Sequence, residues 1–163
     1  MTTPIIFDAH ESYVISLLFT SDSGTLISAG MDNVVKLWSV PTWSHIKTLE
    51  GHANSVNSFA LTTDENLLVT GSTDTTVKLW SFPQGEIIHS LQDRKKVVAG
   101  VALYSDNNWI AAASYGGRAM VWTTQAEPLV GFKTKCKNLT SLAFSPDNQI
   151  LATSGLGDDI QLW

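Results

Sequence analysis

Residues 51–80 read GHANSVNSFALTTDENLLVTGSTDTTVKLW, and this stretch decides the fold. VNSFAL and LLVTGS are alternating apolar runs on either side of TTDEN, a turn carrying Asp64. A second short turn leads to TVKLW. Short runs with period-two alternation, bounded by Asp, Asn, Gly and Ser, predict strands joined by hairpins. The phrase recurs along the chain. Trp38, Trp80, Trp122 and Trp163 close VVKLW, TVKLW, RAMVW and DIQLW at intervals of 42, 42 and 41 residues. Asp22, Asp64, Asp106 and Asp147 keep the same intervals in TSDSG, TTDEN, YSDNN and SPDNQ. Alternating runs flank each turn, VISLLF and TLISAG in the first unit, VAGVAL and WIAAAS in the third, LTSLAF and ILATSG in the fourth. HIKTLE, EIIHSL and PLVGFK supply one more strand between units. Each unit is therefore predicted to be a four-stranded antiparallel sheet, and no window carries the 3.6-residue apolar pattern of a helix over three turns. A fixed period of about 40 residues means stacked repeats, none of which buries its own apolar faces.

The signature of the second unit is fuller still. Gly51-His52, Asp64, Thr70-Gly71-Ser72, Asp74 and Trp80 stand in order, and the first unit has Ala9-His10, Ser28, Asp32 and Trp38. These residues resemble the blades of the WD-repeat (WD40) β-propeller family. The resemblance implies an all-β propeller of four-stranded antiparallel blades, a single unit over residues 1–163 with blades ending near Trp38, Trp80, Trp122 and Trp163. It also implies a hydrogen-bonded polar chain inside a blade, His10, Ser28, Asp32 and Trp38 in the first and His52, Thr70, Asp74 and Trp80 in the second. Such a chain leaves no buried polar group unpaired. The third and fourth units depart from the pattern. Arg94 and Lys135 stand in the histidine column, Gly116 and Gly157 in the aspartate column, and Ala112 replaces the hydroxyl, which Thr153 keeps. Ser39, Ser81 and Thr123 follow the tryptophans, where the family has its second letter.

Hydrophobic residues make up 44% of the chain, ordinary for a globular protein. MTTPIIF does not read as a secretory signal, and no apolar stretch approaches the 18 residues or so of a membrane span. One cysteine, Cys136, rules out a disulfide within the chain and fits a reducing compartment. The expected location is intracellular, in the cytoplasm. The net charge of −5 is uneven. Residues 1–93 carry 10 acids and 3 bases, and residues 94–163 carry 5 acids and 7 bases. Five of those seven bases, Arg94, Lys95, Lys96, Lys135 and Lys137, fall in two equivalent loops. They read either as a solvated rim or as a basic arc for an acidic or phosphorylated partner segment. On an acidic chain the arc is too small to argue for nucleic acid.

The search for chemistry finds no catalytic, cofactor or metal residues. His45 and His89 lie on outer strands without a Cys or carboxylate at ligand spacing. Cys136, between two lysines, reads as an exposed or half-buried inert thiol. Gly155-Leu156-Gly157 is a turn with no helix behind it to bind phosphate. Asp158-Asp159 lacks the spaced ligands of a calcium loop. Asn138-Leu139-Thr140 matches a glycosylation sequon but has no secretory signal before it. His10, His52, Asp32 and Asp74 are of catalytic type, yet their fixed places in the repeat make them structural.

What remains is a binding surface. The resemblance places peptide binding on the top face, three and five residues after the loop histidine and one before the turn aspartate. Those positions are Tyr13, Ile15 and Met31; Ser55, Asn57 and Thr73; Val97, Ala99 and Tyr115; Asn138, Thr140 and Leu156. Tyr13, Met31, Tyr115 and Leu156 are apolar or aromatic where exposure is expected, as interface anchors are. The chain is expected to be a non-catalytic interaction scaffold for a protein or peptide, with neither nucleic acid nor membrane as partner. Propellers of this family usually have seven or eight blades. Four blades, an extra outer strand at residues 4–8 and a fourth blade without its own outer strand make half of an eight-bladed ring. Either two copies join into that ring, or the chain is one segment of a longer propeller that serves as the binding domain of a larger protein.

Overall fold

A computed structural model describes residues 3–92, 96–157 and 159–163. Fifteen strands follow one another with no helix among the described residues. Blade one comprises β1 (Val14–Phe19), β2 (Thr25–Gly30), β3 (Val35–Ser39) and β4 (His45–Leu49). Blade two comprises β5 (Val56–Leu61), β6 (Leu67–Ser72), β7 (Thr76–Ser81) and β8 (Ile87–Gln92). Blade three comprises β9 (Val98–Leu103), β10 (Trp109–Ser114), β11 (Arg118–Thr123) and β12 (Pro128–Lys133). Blade four has three strands, β13 (Leu139–Phe144), β14 (Leu151–Gly155) and β15 (Ile160–Leu162). Each sheet pairs its strands in chain order and antiparallel. The first strands β1, β5, β9 and β13 lie side by side in succession, so the blades stack as an arc.

The turns explain the regular register. In each first hairpin the aspartate caps the amide two residues on: Gly24 to Asp22 (2.8 Å), Asn66 to Asp64 (3.3 Å), Asn108 to Asp106 (3.0 Å) and Gln149 to Asp147 (3.2 Å). The intervening residues, Ser23, Glu65, Asn107 and Asn148, have φ between 55° and 63°. A short side chain that bonds its own backbone makes such a tight, left-handed turn accessible. The hydroxyls of Thr20 and Ser145 donate to Asp22 and Asp147 and hold both carboxyls below the usual aspartate range.

The core lies between blades. One cluster joins Ile27, Val35 and Leu37 of blade one to Val56, Phe59, Leu68 and Trp80 of blade two. A second joins Val69, Val77 and Leu79 to Val98, Val101, Ile110 and Trp122. The third is built of smaller residues, Ala111, Ala113, Ala119 and Val121 against Leu139, Leu142 and Leu151. Packing is close enough that a Cβ on Gly71 would stand 2.6 Å from Val98 Cγ1.

Two expectations need correction. Residues 4–8 do not form a strand; no paired edge lies beside them, and Phe7 instead rests on Trp38 with ring centroids 5.1 Å apart. Cys136 is buried, not exposed or half-buried, because the loop between its lysines turns inward onto the third cluster. Lys135 and Lys137 on either side are exposed.

Candidate interaction face

Two polar chains run through blades one and two. In blade two the Trp80 indole N–H donates to Thr70 Oγ1 (2.8 Å), which lies 2.7 Å from His52 Nε2. His52 Nδ1 lies 2.7 Å from Asp74 Oδ2. Since the hydroxyl accepts from the indole, it donates to Nε2, and a neutral imidazole carrying its proton on Nδ1 donates to the carboxylate. Burial pushes the His52 pKa below its ordinary value, against the opposing pull of Asp74. Burial raises the Asp74 pKa, but the Thr76 hydroxyl, the Ala53 amide and His52 outweigh it and bring it to about 2. In blade one Trp38 donates to Ser28 Oγ (2.8 Å), which is 2.7 Å from His10 Nε2. His10 Nδ1 stands 2.9 Å from each oxygen of Asp32. Burial pushes Asp32 upward, and His10 with the Glu11 amide brings it below the usual range.

Each chain ties a loop to a strand on the blade's inside. The imidazoles have no free nitrogen, since one faces the hydroxyl and the other the carboxylate, so the His–Asp pairs have no nitrogen to offer a substrate. In blade four Trp163 donates to Thr153 Oγ1 (3.0 Å), and the Lys135 amide donates to Gln161 Oε1 (3.1 Å) in the histidine column. Among the described residues no group of His, Cys, Asp and Glu is arranged to hold a metal ion. No helix there is long and apolar enough to cross a membrane.

The loop end of the arc presents the candidate binding positions unequally. Tyr13 and Leu156 are the most open, at 77% and 68% exposure, and Met31, Tyr115, Ile15 and Thr140 are also exposed. Val97 is half-buried. Asn57 and Thr73 bond to each other (3.0 Å), and Asn57 Nδ2 also donates to Val98 O (2.8 Å) across the blade joint. Blade two thus spends its polar groups on its neighbour. Gly116 N donates to Asn138 Oδ1 (3.2 Å), which draws the loop after Tyr115 towards blade four. Lys96, Lys135 and Lys137 are exposed at this rim, while Arg94 and Lys95 lie outside the described residues.

The sequence reading passed over a second set of contacts at the turn end. Ser21 N donates to Glu65 Oε1 (2.5 Å), Thr63 N to Asn107 Oδ1 (3.0 Å) and Ser105 N to Asn148 Oδ1 (3.1 Å). Each is a clasp from the left-handed turn residue of one blade to the preceding blade. The column after the turn aspartate, Glu65, Asn107 and Asn148, was the available signal. An apolar cleft of about 340 Å³ also lies at this end, away from the candidate face, beside Trp109, Leu129, Val130, Ile150 and Trp163. Between blades one and two Phe82 is buried in the core cluster, its amide bonded to Asn66 O (2.9 Å).

The family model of the WD domain, G-beta repeat (WD40), matches residues 2–39, 43–81, 85–123 and 127–163. Comparison with curated proteins yields no match. Four successive matches over nearly the whole length, with a four-blade arc beneath them, place the chain in the WD40 family.

Proposed function

We propose that this chain is a non-catalytic scaffold that binds a protein or peptide on the loop end of its blades. WD40 repeats form protein-interaction propellers, and membership brings the chain into that class. The observation that carries the finer reading is the contrast between two residue sets at this end. The histidines and turn aspartates are locked within their blades, whereas Tyr13, Met31, Tyr115 and Leu156 face solvent. Exposed aromatic and apolar side chains suit the anchoring of a peptide partner. Ile15, Asn57, Thr73, Val97 and Thr140 line the same face, with Asn57 and Thr73 reading as support.

The basic arc of Arg94, Lys95, Lys96, Lys135 and Lys137 gives the partner an acidic or phosphorylated character. A peptide array against the chain, and against a variant with Arg94, Lys95, Lys135 and Lys137 all changed to Ser, tests it. Acidic peptides should bind the parent, bind the variant more weakly, and lose affinity as salt rises to physiological strength, because exposed charge contacts are screened. Equal binding of the same peptides at low salt would reduce the arc to a solvated rim. Tyr115→Ala and Leu156→Ala test the apolar anchors in the same assay.

The reading includes cytoplasmic residence and self-association, in which two copies close an eight-bladed ring. Light scattering should give the mass of two chains.

A further inference from the structure

The loop end is built from matching columns in every blade, so its charge can be compared position by position. Each blade presents there the stretch before its first strand, residues 8–13, 50–55, 92–97 and 133–138, and its second hairpin, residues 31–34, 73–76, 115–118 and 156–159. In blades one and two these stretches hold five acids and no lysine or arginine, a net charge of −5. In blades three and four the same stretches hold seven bases and three acids, a net charge of +4. One surface is thus divided into an acidic half and a basic half.

The division is built into the hairpins. Asp74 accepts from the Thr76 hydroxyl (2.6 Å) and the Ala53 amide (2.9 Å) and is ionised at neutral pH. Burial keeps His52 neutral, so the pair retains a full negative charge. Asp32 likewise accepts from the Glu11 amide (3.1 Å) and faces His10. Both carboxylates are nearly buried, so they set the field of this half, while Glu11 and Glu50 are exposed and can be touched. In blade three the aspartate column holds Gly116, at φ 94°. A Cβ there would stand 3.9 Å from Lys96 Cγ and Cε, so a lysine stem crosses the hairpin that carries a carboxylate in blade two. In blade four Gly157 leaves the column empty of charge. Lys135 and Lys137 are exposed there, and Asp159, also exposed, offsets part of their charge.

Each half also has apolar side chains in the open, Tyr13 and Met31 with the acids, Tyr115 and Leu156 with the bases. Between them Asn57 and Thr73 of blade two are turned to each other and to Val98. A segment of uniform charge laid along this face meets its own sign over one half. Like charges set against each other across an interface are penalised, and this is how wrong partners are rejected.

We infer that the partner segment is itself divided in charge, with an acidic, apolar-anchored end on blades three and four and a basic, apolar-anchored end on blades one and two. The inference rests on the peptide-binding role proposed above and deepens it. An extended segment can lie along the face in two orientations, and opposite charges at its ends select one of them. Such exposed charges act on orientation and on the rate of encounter more than on affinity.

Synthetic peptides of equal length with the same apolar residues test it, by fluorescence anisotropy against the full chain. One type has an acidic and a basic end, made in both chain directions; one has the same residues with the charges interspersed; one is uniformly acidic. At low salt the better two-ended peptide should bind roughly fivefold or more tighter than the interspersed one, the gain of a few exposed charge contacts. The gap should narrow as salt rises. A photo-cross-linker on its acidic end should label blades three and four, and one on its basic end blades one and two. The double variant Glu11→Lys, Glu50→Lys should weaken the two-ended peptide and tighten the uniformly acidic one, a pair of opposite shifts that misfolding does not produce. Equal binding of the two-ended and interspersed peptides, or labelling of both halves from either end, overturns the divided partner. If the uniformly acidic peptide then binds best and weakens in Lys135→Ser, Lys137→Ser, loop-end binding stands without it. If none of the peptides binds at low salt, both readings fall.

Discussion

Trp80 joins two kinds of stabilisation at a single residue. Its ring fills the first core cluster, and its indole N–H satisfies a buried threonine that in turn orients His52. Trp80→Ala should cost about 3–5 kcal/mol, from the cavity and the stranded hydroxyl. Chemical denaturation measures it. Asp74→Ala should lower the melting temperature more than Asp159→Ala, since Asp74 bonds an imidazole, an amide and a hydroxyl while Asp159 is exposed. Equal melting temperatures for the two would refute the structural role of Asp74. Acid should destabilise the fold in two steps. The His52 pKa is depressed in the folded chain, so the unfolded chain takes up its proton first and stability falls as pH drops below about 6.5. The Asp74 contribution is complete above its ordinary value near 3.8 and is lost as pH falls towards about 2. Denaturant midpoints across pH should show both limbs, and Asp74→Asn should flatten the lower one.

At the scale of the element, the turns decide how blades are spaced. Asn107 holds a left-handed conformation, accepts the Thr63 amide and donates to the Thr63 hydroxyl (2.8 Å). Asn107→Ala removes both bonds and places a residue without a local hydrogen bond at positive φ. A loss of roughly 1–3 kcal/mol is expected. The second hairpin of blade three makes a different demand. Gly117 has φ 74°, and a Cβ there would sit 1.9 Å from the Cys136 carbonyl oxygen. The matching positions in blades one and two are Asn33 and Thr75, also at positive φ. Conformation alone therefore does not require glycine; the neighbouring loop does. Gly117→Ala should lower the melting temperature by more than Thr75→Ala, as thermal unfolding of the two variants will show.

For the molecule as a whole, stability is distributed unevenly along the arc. Blade two has an inner polar chain and two large-residue joints, whereas blade three has Ala112 at the hydroxyl position and an alanine-rich joint with blade four. In a repeat array each unit's stability is its own plus that of its joints. Backbone amides of β10 should therefore exchange with solvent faster than the equivalent amides of β6, both being interior strands of blades with neighbours on each side. Matched exchange rates would show that the alanine packing compensates for the missing chain.

Most of the strands were legible in the sequence because hairpin alternation and turn chemistry are local. VNSFAL, LLVTGS and TVKLW carry both the period of a strand and the punctuation that ends it, and β5, β6 and β7 follow them. The repeat columns also carried the residues of the polar chains, since the four side chains that must reach one another stand at the same places in blades one and two. Side-chain placement that depends on another blade was not legible. Asn57 stands at a predicted binding position yet bonds Val98, Cys136 turns inward between two exposed lysines, and residues 4–8 read as a strand but have no edge to pair with. The clasps of Glu65, Asn107 and Asn148 reach amides 43 or 44 residues away. The sequence by itself determined the period, the strands and the turns, because these depend on neighbours within a few residues. Only the tertiary structure decided which faces are covered and which stay open, because burial depends on what the next blade brings against them.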